Sequence, residues 1–165
     1  MKKILSIQEA IRVAKKLKKQ KKSIVLAGGF FDILHLGHIN FLQNSKRQGD
    51  CLFVLLEDDK KAKERKGSGR PINPQKIRAL MLSVLQDVDY VVLLKNMTNN
   101  NQYDKIITQM SPGIITATKD DPHIEHKIRQ AKLVGGKVKY VNEKIKNHST
   151  TMLVKKMNSQ QSKNI

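Results

Sequence analysis

Short apolar runs alternate with segments of helical periodicity along most of this chain, and that alternation restricts its fold more than any other feature. Each run is too short for a buried helix and is bounded by turn-forming or charged residues. Strands that alternate with helices form a parallel sheet covered by helices on both faces. We therefore expect a Rossmann-like three-layer α/β fold with a five-stranded parallel sheet. Its strands are expected at 24–27, 52–56, 88–94, 114–115 and 138–141.

Helix signals lie between these runs. Ser6 and Glu9 form a capping box, since a serine hydroxyl and a glutamate three residues later bond each other's free backbone donors. Asn73 followed by Pro74 marks another helix start, and Gly135 a glycine stop. The helix after Pro74 is expected to have an apolar stripe of Ile77, Leu80, Met81 and Val84. Further helices are expected at 10–17, 38–46, 103–110 and 124–133 and from Ser149 or Thr150, with loops at 57–70 and 96–102.

The length of 165 residues fits one domain at 1–157 and a polar tail at 158–165. The chain carries 32 Lys and Arg against 14 Asp and Glu, and this formal net charge of +18 attracts polyanions without choosing among them.

The single cysteine, Cys51, excludes an internal disulfide and is expected as a small buried side chain. No stretch has the roughly 20 apolar residues that span a bilayer, and residues 1–3 precede no signal-peptide core. A cytoplasmic protein is expected.

Residues 28–38 read Gly-Gly-Phe-Phe-Asp-Ile-Leu-His-Leu-Gly-His and join the first expected strand to the next helix. Ligands of open parallel sheets bind at the carboxyl ends of the strands, which places His35 and His38 at the binding edge. Gly37 allows a phosphate to approach the backbone, and free N–H groups at a helix start favour an anion. Two imidazoles three residues apart can donate hydrogen bonds to one bound group. The segment therefore predicts a phosphate site.

This segment resembles the His-x-Gly-His signature of the cytidylyltransferase-like nucleotidyltransferases. The amino-acid sequence of the chain most resembles the nucleotidyltransferase domain of the bifunctional ADP-heptose synthases. Its resemblance to glycerol-3-phosphate cytidylyltransferase is more distant. The resemblance implies transfer of a nucleoside monophosphate from ATP or CTP to a sugar or polyol phosphate, with release of pyrophosphate. It covers nearly the whole chain, and its other supporting segments are 66–74 with Arg78, 88–92 and 148–151.

The resemblance also implies roles for individual residues. His35 and His38 are expected to bind the NTP phosphates and to stabilise the transition state at the α-phosphorus. One anion attacks another in this reaction, so neutralising charge is the main task, and Lys66 is the third expected catalytic residue. Lys66 and Arg70 are expected at the acceptor phosphate. Asp59 is either a further acidic residue of the nucleotide site or a surface carboxylate. The expected nucleotide-binding residues are Gly29, Phe30, Phe31, Asp32, Gly37, Asp120, Ser149, Thr150 and Thr151.

One stretch departs from the family pattern. ADP-heptose synthases carry a Lys-Gly-Gly-Asp-like sequence after the fourth strand, where residues 116–120 of this chain read Thr-Ala-Thr-Lys-Asp. The lysine and glycines are missing from their usual places, and Lys119 is a candidate substitute. The departure leaves the identity of the acceptor phosphate open. Segment 66–78 resembles the ADP-heptose synthases and therefore favours ATP over CTP as the nucleotide donor. At residues 29–31, Gly-Phe-Phe replaces the more usual Gly-Cys-Phe, which changes packing near the nucleotide and keeps the turn.

Magnesium is expected to arrive with the NTP, because it neutralises the triphosphate and because no carboxylate cluster suggests a protein-only metal site. The resemblance suggests a homodimer.

Two other functions compete with the enzymatic one. A basic nucleic-acid-binding module fits the charge but not the aromatic content of 4%. A catalytically inactive nucleotide-binding regulator is opposed by the intact His35, His38 and Lys66.

Overall fold

A six-stranded parallel sheet forms the centre of the protein in a computed structural model, which describes residues 2–142. The strands are β1 (Ile4–Leu5), β2 (Ile24–Gly29), β3 (Cys51–Leu56), β4 (Tyr90–Leu93), β5 (Ile114–Thr118) and β6 (Lys137–Asn142). Their order across the sheet is β1-β4-β3-β2-β5-β6, and neighbouring strands are parallel throughout. The expected Rossmann-like α/β fold with a parallel sheet is confirmed.

Helices cover both faces of the sheet. They are α1 (Ile7–Lys19), α2 (Leu36–Lys46), α3 (Asp59–Lys66), α4 (Gln75–Ser83), α5 (Asn100–Met110) and α6 (Ile124–Leu133). One apolar cluster joins α1, α5 and α6 to the sheet, and a second joins α2 and α4 to the opposite face. Within residues 2–142, every helix is too short or too polar to cross a membrane. The expected helix from Ser149 or Thr150 and the expected domain end at 157 lie outside the described residues.

The expected number of five strands is wrong, because β1 adds a sixth strand at the sheet edge. Ile4 pairs with Val91 and Leu5 with Val92. Two residues are too few to show a strand periodicity, and the capping box of Ser6 starts α1 immediately after them. The capping box itself is confirmed, since Ser6 and Glu9 bond each other's backbone N–H groups. The edge strand is therefore a product of tertiary pairing.

Two segments that were expected to be loops contain helix. Residues 59–66 form α3, whose start is capped by the Asp58 carboxylate accepting from Lys61 N. Ala62 is the buried residue of this helix, so α3 lacks the apolar stripe by which sequence reading detects helices. Residues 100–102 belong to α5, which begins with a capping box of Asn99 and Gln102. In both places the residue that caps the helix was the sequence feature that could have indicated it.

The expected apolar stripe of α4 is wrong. Ile77, Leu80 and Val84 are exposed, with 42%, 55% and 75% of their surfaces accessible. The buried face instead carries Arg78, Ala79 and Leu82. The start of the helix also differs, because Pro74 is the N-cap residue and makes no side-chain capping bond.

The fold creates a crevice at the point where the strand order reverses. From β2 the chain builds the sheet outward through β3 and β4, and it then returns to place β5 on the other side of β2. Pairing between β2 and β5 stops at Leu26 and Ile115, although β2 continues to Gly29 and β5 to Thr118. The carboxyl ends of these strands therefore separate, which is where open α/β sheets bind ligands.

Candidate active site

The turn between β2 and α2 carries the two histidines that were predicted to bind phosphate. His35 is the N-cap residue of α2 and makes no side-chain capping bond. The His35 and His38 rings stack, with centroids 3.8 Å apart and planes 22° from parallel. The structure therefore brings both imidazoles together at the first turn of α2. Backbone N–H groups at this end of a helix lack intrahelical partners and attract anions.

His38 is neutral at pH 7. Burial, aided by the neighbouring His35, lowers the pKa of His38 to about 4, although a hydrogen bond with the backbone of Ile33 acts in the opposite direction. Nδ1 of His38 is buried, and no group in the described part of the chain bonds to it. The Phe31 ring lies 5.1 Å from the His38 ring. A neutral imidazole can still donate one hydrogen bond to a phosphate oxygen.

The glycine and phenylalanines of the turn pack tightly under the histidines. Phe31 is 4% exposed and has a left-handed φ of 47°. A Cβ at Gly29 would lie only 3.0 Å from the Phe31 ring, so this position accommodates glycine alone without a shift of the ring. Gly37 lies in the first turn of α2. The nucleotide contacts predicted for these residues stay predictions, and the structure shows Phe31 close to both Gly29 and His38.

Asp32 anchors the loop before α4 to this turn. Its carboxylate accepts from Arg70 Nε at 2.6 Å and from the backbone N–H groups of Ile72 and Asn73 at 3.0 and 2.9 Å. Burial alone would raise the pKa of Asp32, but the two backbone bonds and the Arg70 guanidinium outweigh it and lower the pKa. The roles predicted for Asp32 at the nucleotide and for Arg70 at the acceptor stay predictions. Here the two residues form an ion pair.

Arg78 is fully buried and bonds the turn between β2 and α2. Its guanidinium donates to the carbonyl oxygens of Phe30, Glu57 and Asn73 and, at 2.7 Å, to the Asp59 carboxylate. Asp59 also accepts from the backbone N–H of Gln75 at the start of α4. Asp59 thus serves as a helix cap and counter-ion, and its nucleotide role is untested. The sequence signal for Arg78 was its position one helical turn before Leu82, on the same face of α4.

Lys66 lies near the histidine turn at the end of α3. The residue is exposed, and its Nζ is 5.7 Å from the centroid of the Phe30 ring. Gly67 follows with a φ of 94°, which ends the helix in a conformation that glycine adopts freely. Because Phe30 directly follows β2, the ammonium group lies near the carboxyl edge of the sheet. The structure is therefore compatible with the predicted reach of Lys66 toward reacting phosphates.

A partly buried acidic group that sequence reading missed lies just after the end of β3. Glu57 accepts from the Tyr103 hydroxyl at 2.7 and 2.9 Å, and Lys61 Nζ bonds the same hydroxyl and the Met97 carbonyl. Burial raises the pKa of Glu57, although the Tyr103 bond and the Lys61 charge act against it. This network ties α3 to α5 and so fixes the helix that carries Lys66. No sequence pattern marks it, because its members come from separate elements.

The β5 side of the crevice holds a lysine that the sequence reading did not single out, and the nucleotide role predicted for Asp120 stays a prediction. Asp120 is exposed in the turn after β5, and the backbone N–H of Lys119 donates to Asn142 O at 3.2 Å. Lys127 of α6 contacts the middle of β5, where its Nζ donates to Thr116 O at 3.1 Å, and it pairs with Asp121 at 2.7 Å. Lys127 was not predicted, although it lies on the same face of α6 as the buried Ala131.

The structure thus brings together the turn at 29–38, Arg70 and Lys66, and it places Asp120 on the other strand end. The predicted Ser149, Thr150 and Thr151 lie outside the described residues. Within residues 2–142, no group of three or more His, Cys, Asp or Glu side chains is arranged to hold a metal ion.

Known proteins match this chain. The family described as Cytidylyltransferase-like matches residues 26–156. The Bifunctional protein HldE of Desulfatibacillum aliphaticivorans is 35% identical over 139 residues, which cover 82% of this chain and 27% of that protein. Its namesake in Campylobacter fetus subsp. fetus is 42% identical over 118 residues, covering 72% and 24%. The chain thus spans about a quarter of the length of these curated relatives.

A solved structure is also similar. The lipopolysaccharide core biosynthesis protein from Thermoplasma volcanium GSS1 aligns with a TM-score of 0.62 and 30% sequence identity. The alignment covers 75% of this chain and 99% of that chain.

Proposed function

Because the chain belongs to the cytidylyltransferase-like family and is an enzyme of the transferase class, we propose that it transfers a nucleoside monophosphate from ATP to a sugar or polyol phosphate. Pyrophosphate is the second product. The alternative pair of substrates is CTP with glycerol 3-phosphate. The observation that carries the proposal is the stacked His35–His38 pair at the first turn of α2, on the carboxyl edge of β2.

The reaction begins when an oxygen of the acceptor phosphate attacks the α-phosphorus of the NTP. The new P–O bond forms while the bond from the α-phosphorus to the bridging oxygen breaks, and the electron pair leaves with pyrophosphate. Negative charge therefore builds on the non-bridging α-oxygens and on the leaving group. Donors that are fixed before the reaction stabilise this charge more than that of the resting triphosphate, and only such differential binding raises kcat.

His38 fits this task because it is neutral and held in place. A neutral imidazole keeps one N–H that can donate a hydrogen bond to a phosphate oxygen, and burial strengthens that bond. His35 stacks on it and shares the N-terminal end of α2. Lys66 is proposed to neutralise the phosphates from the exposed end of α3. Arg78 and Asp32 support the reaction indirectly, since their bonds hold the backbone of the turn and of the loop before α4.

Magnesium is proposed to enter bound to the triphosphate, so that the substrate is the magnesium–NTP complex. ATP is the first choice of donor because segment 66–78 resembles that of ADP-heptose synthases. We place the enzyme in the cytoplasm, where NTPs are available, and expect a homodimer. Light scattering at working concentration would contradict the dimer by giving a mass near 18.8 kDa.

A pyrophosphate-release screen tests the proposal. ATP and CTP are each combined with sugar phosphates, polyol phosphates and amino-alcohol phosphates, with and without excess EDTA. We expect release with ATP and a sugar or polyol phosphate, and loss of that release in EDTA. Release confined to amino-alcohol phosphates, or from no pair at all, would reject the proposal. A rate unaffected by EDTA would reject the role of magnesium.

A further inference from the structure

Exposed lysines surround the amino ends of the central strands, at the opposite edge of the sheet from the crevice. They lie in the last turn of α1, in the turn before β2, at the end of α6 and at the start of β6, and they are Lys18, Lys19, Lys21, Lys22, Lys132 and Lys137. Direct bonds join these segments. Lys18 Nζ donates to Ser111 Oγ at the end of α5 at 2.7 Å, and Lys137 N donates to Gly113 O at 3.0 Å. The six lysines therefore form one continuous surface, which we call the basic rim.

Most of the positive charge of the basic rim is uncompensated. Lys22 pairs with Asp50 at 3.5 Å, but that carboxylate is already bound by the backbone N–H and the hydroxyl of Ser23. Four of the lysines have no ion-pair partner among residues 2–142, namely Lys19, Lys21, Lys132 and Lys137. Lys15 and Lys19 also lie four residues apart on α1, a spacing at which like charges repel. An anionic partner would relieve this repulsion.

The ends of the helices explain only part of this charge. Cations in the last turn of a helix interact favourably with the helix dipole, which accounts for Lys18, Lys19 and Lys132. Lys21 and Lys137 lie outside the helices. Lys21 also has a left-handed φ of 58°, a conformation that favours glycine, so this turn carries a cation where a residue without a Cβ would be less strained. The basic rim therefore holds more cations than the helix ends require.

The side chains of the basic rim favour a lipid surface over a nucleic acid. All six cations are lysines, which act as hydrated point charges, whereas arginine is the side chain that binds phosphates bidentately. Residues 12–22 and 130–137 contain no aromatic side chain on which a base could stack. Leu133 follows Lys132 at the end of α6 and is 53% exposed. An apolar side chain beside cations suits the boundary between lipid headgroups and acyl chains.

We propose that the basic rim binds the surface of an anionic lipid bilayer. The negative potential of such a surface attracts each lysine that lies close to it, and Leu133 enters the interfacial layer. The six residues of β2 lead from the rim to the histidine turn, which at about 3.3 Å per residue separates the two by about 20 Å. The crevice therefore stays open to solvent while the rim is bound. Rim binding is independent of the proposed transfer reaction.

Vesicle flotation with the full-length protein tests the proposal. Vesicles of phosphatidylcholine are compared with vesicles that contain about one third phosphatidylglycerol, at about 0.15 M salt. The rim variant combines four substitutions, Lys19→Gln, Lys21→Gln, Lys132→Gln and Lys137→Gln. Its control combines four at exposed lysines near the carboxyl edge, Lys60→Gln, Lys63→Gln, Lys76→Gln and Lys95→Gln. Each variant lowers the formal net charge of +18 by four, so a difference between them reports where the charge lies. Thermal melts check that both remain folded.

We expect the wild type to bind the anionic vesicles and not the neutral ones. The rim variant should bind at least about tenfold more weakly, and the control should stay within about threefold of the wild type. Leu133→Gln, which leaves the charge unchanged, should weaken binding at least about threefold. The proposal is overturned if the wild type does not bind anionic vesicles, if rim variant and control lose affinity equally, or if Leu133→Gln binds like the wild type.

A competition separates the lipid surface from a nucleic acid. Duplex DNA of random sequence is added to the anionic vesicles at an equal concentration of accessible phosphate. We expect the wild type to float with the vesicles. Protein that remains with the DNA would overturn the choice of a lipid partner.

Discussion

The two sides of the crevice are built in different ways. On the β2 side, the turn from Gly29 to His38 carries the family signature, and Asp32 and Arg78 fix it through a buried network. On the β5 side, the lysine and glycines of the ADP-heptose synthases are missing from their usual places in residues 116–120, and a lysine from α6 bonds the strand. The β2 side holds the stacked His35 and His38 rings, and the β5 side holds the Lys127–Asp121 ion pair. A local motif therefore builds the β2 side, whereas the cation of the β5 side comes from a separate helix.

The strongest test of the β2 side is His38→Ala. We expect kcat to fall by about 10²–10³, because removing one preorganised donor from a transition state typically costs that much, while NTP affinity changes far less. Steady-state kinetics and a thermal melt are measured together, with Gln43→Ala on the exposed side of α2 as control. His35→Ala should behave like His38→Ala. A folded His38→Ala protein with near-normal kcat would show that His38 has a structural role and would contradict the proposed mechanism.

Arg78→Met tests whether the β2 side depends on its buried network. The change leaves three backbone carbonyls without their donor, so we expect a loss of about 2–4 kcal/mol in the free energy of unfolding. Urea denaturation measures it, with the exposed neighbour Lys76→Met as control. A loss as small as that of the control would show that the turn is held by other contacts.

The depressed pKa of His38 predicts a pH-dependent stability. The folded-state pKa of about 4 lies below the ordinary value of 6.5, so the unfolded chain takes up the proton first as the pH falls. The contribution of His38 is therefore complete above about pH 6.5 and is lost toward pH 4, by up to about 3 kcal/mol. Unfolding free energies of wild type and His38→Gln are compared at pH 7 and 4.5. Equal losses in the two proteins would contradict the shift.

Lys119→Ala is expected to have the smallest effect on ligand affinity. It tests which lysine on the β5 side replaces the missing family lysine. Lys119 was the candidate replacement for the missing family lysine, but its side chain is exposed, whereas Lys127 bonds the strand. Ligand affinities should change by less than about threefold, as for most surface substitutions. Calorimetry on Lys119→Ala beside Lys127→Met decides between them. A larger loss in Lys119→Ala would restore the sequence-based choice.

The sequence predicted best those features in which neighbouring residues carry the whole signal. Strand and helix alternation gave the parallel sheet, and the capping box of Ser6 gave the start of α1. The location of both histidines at the first turn of α2 follows from their spacing across Gly37 at a strand-to-helix turn. Prediction failed for the edge strand β1, which is two residues long, and for α3, which buries little apolar surface.

The apolar stripe of α4 failed for a different reason. Ile77, Leu80 and Val84 have helical spacing, yet the helix turns them outward and buries Arg78. A cation is buried only where several acceptors converge, and these come from Phe30, Glu57 and Asp59, which are distant in sequence. No local pattern shows that convergence.

Periodicity, caps and a short motif are local properties of the chain, so they were enough to predict the fold class, the family and the position of the turn that carries His35 and His38. The tertiary structure sets the partners of the charged side chains. It paired Asp32 with Arg70, buried Arg78 beneath the turn and brought Lys127 to β5. Such pairings depend on which strand ends and helices the topology brings together, and the free energy of a buried charge depends on those neighbours.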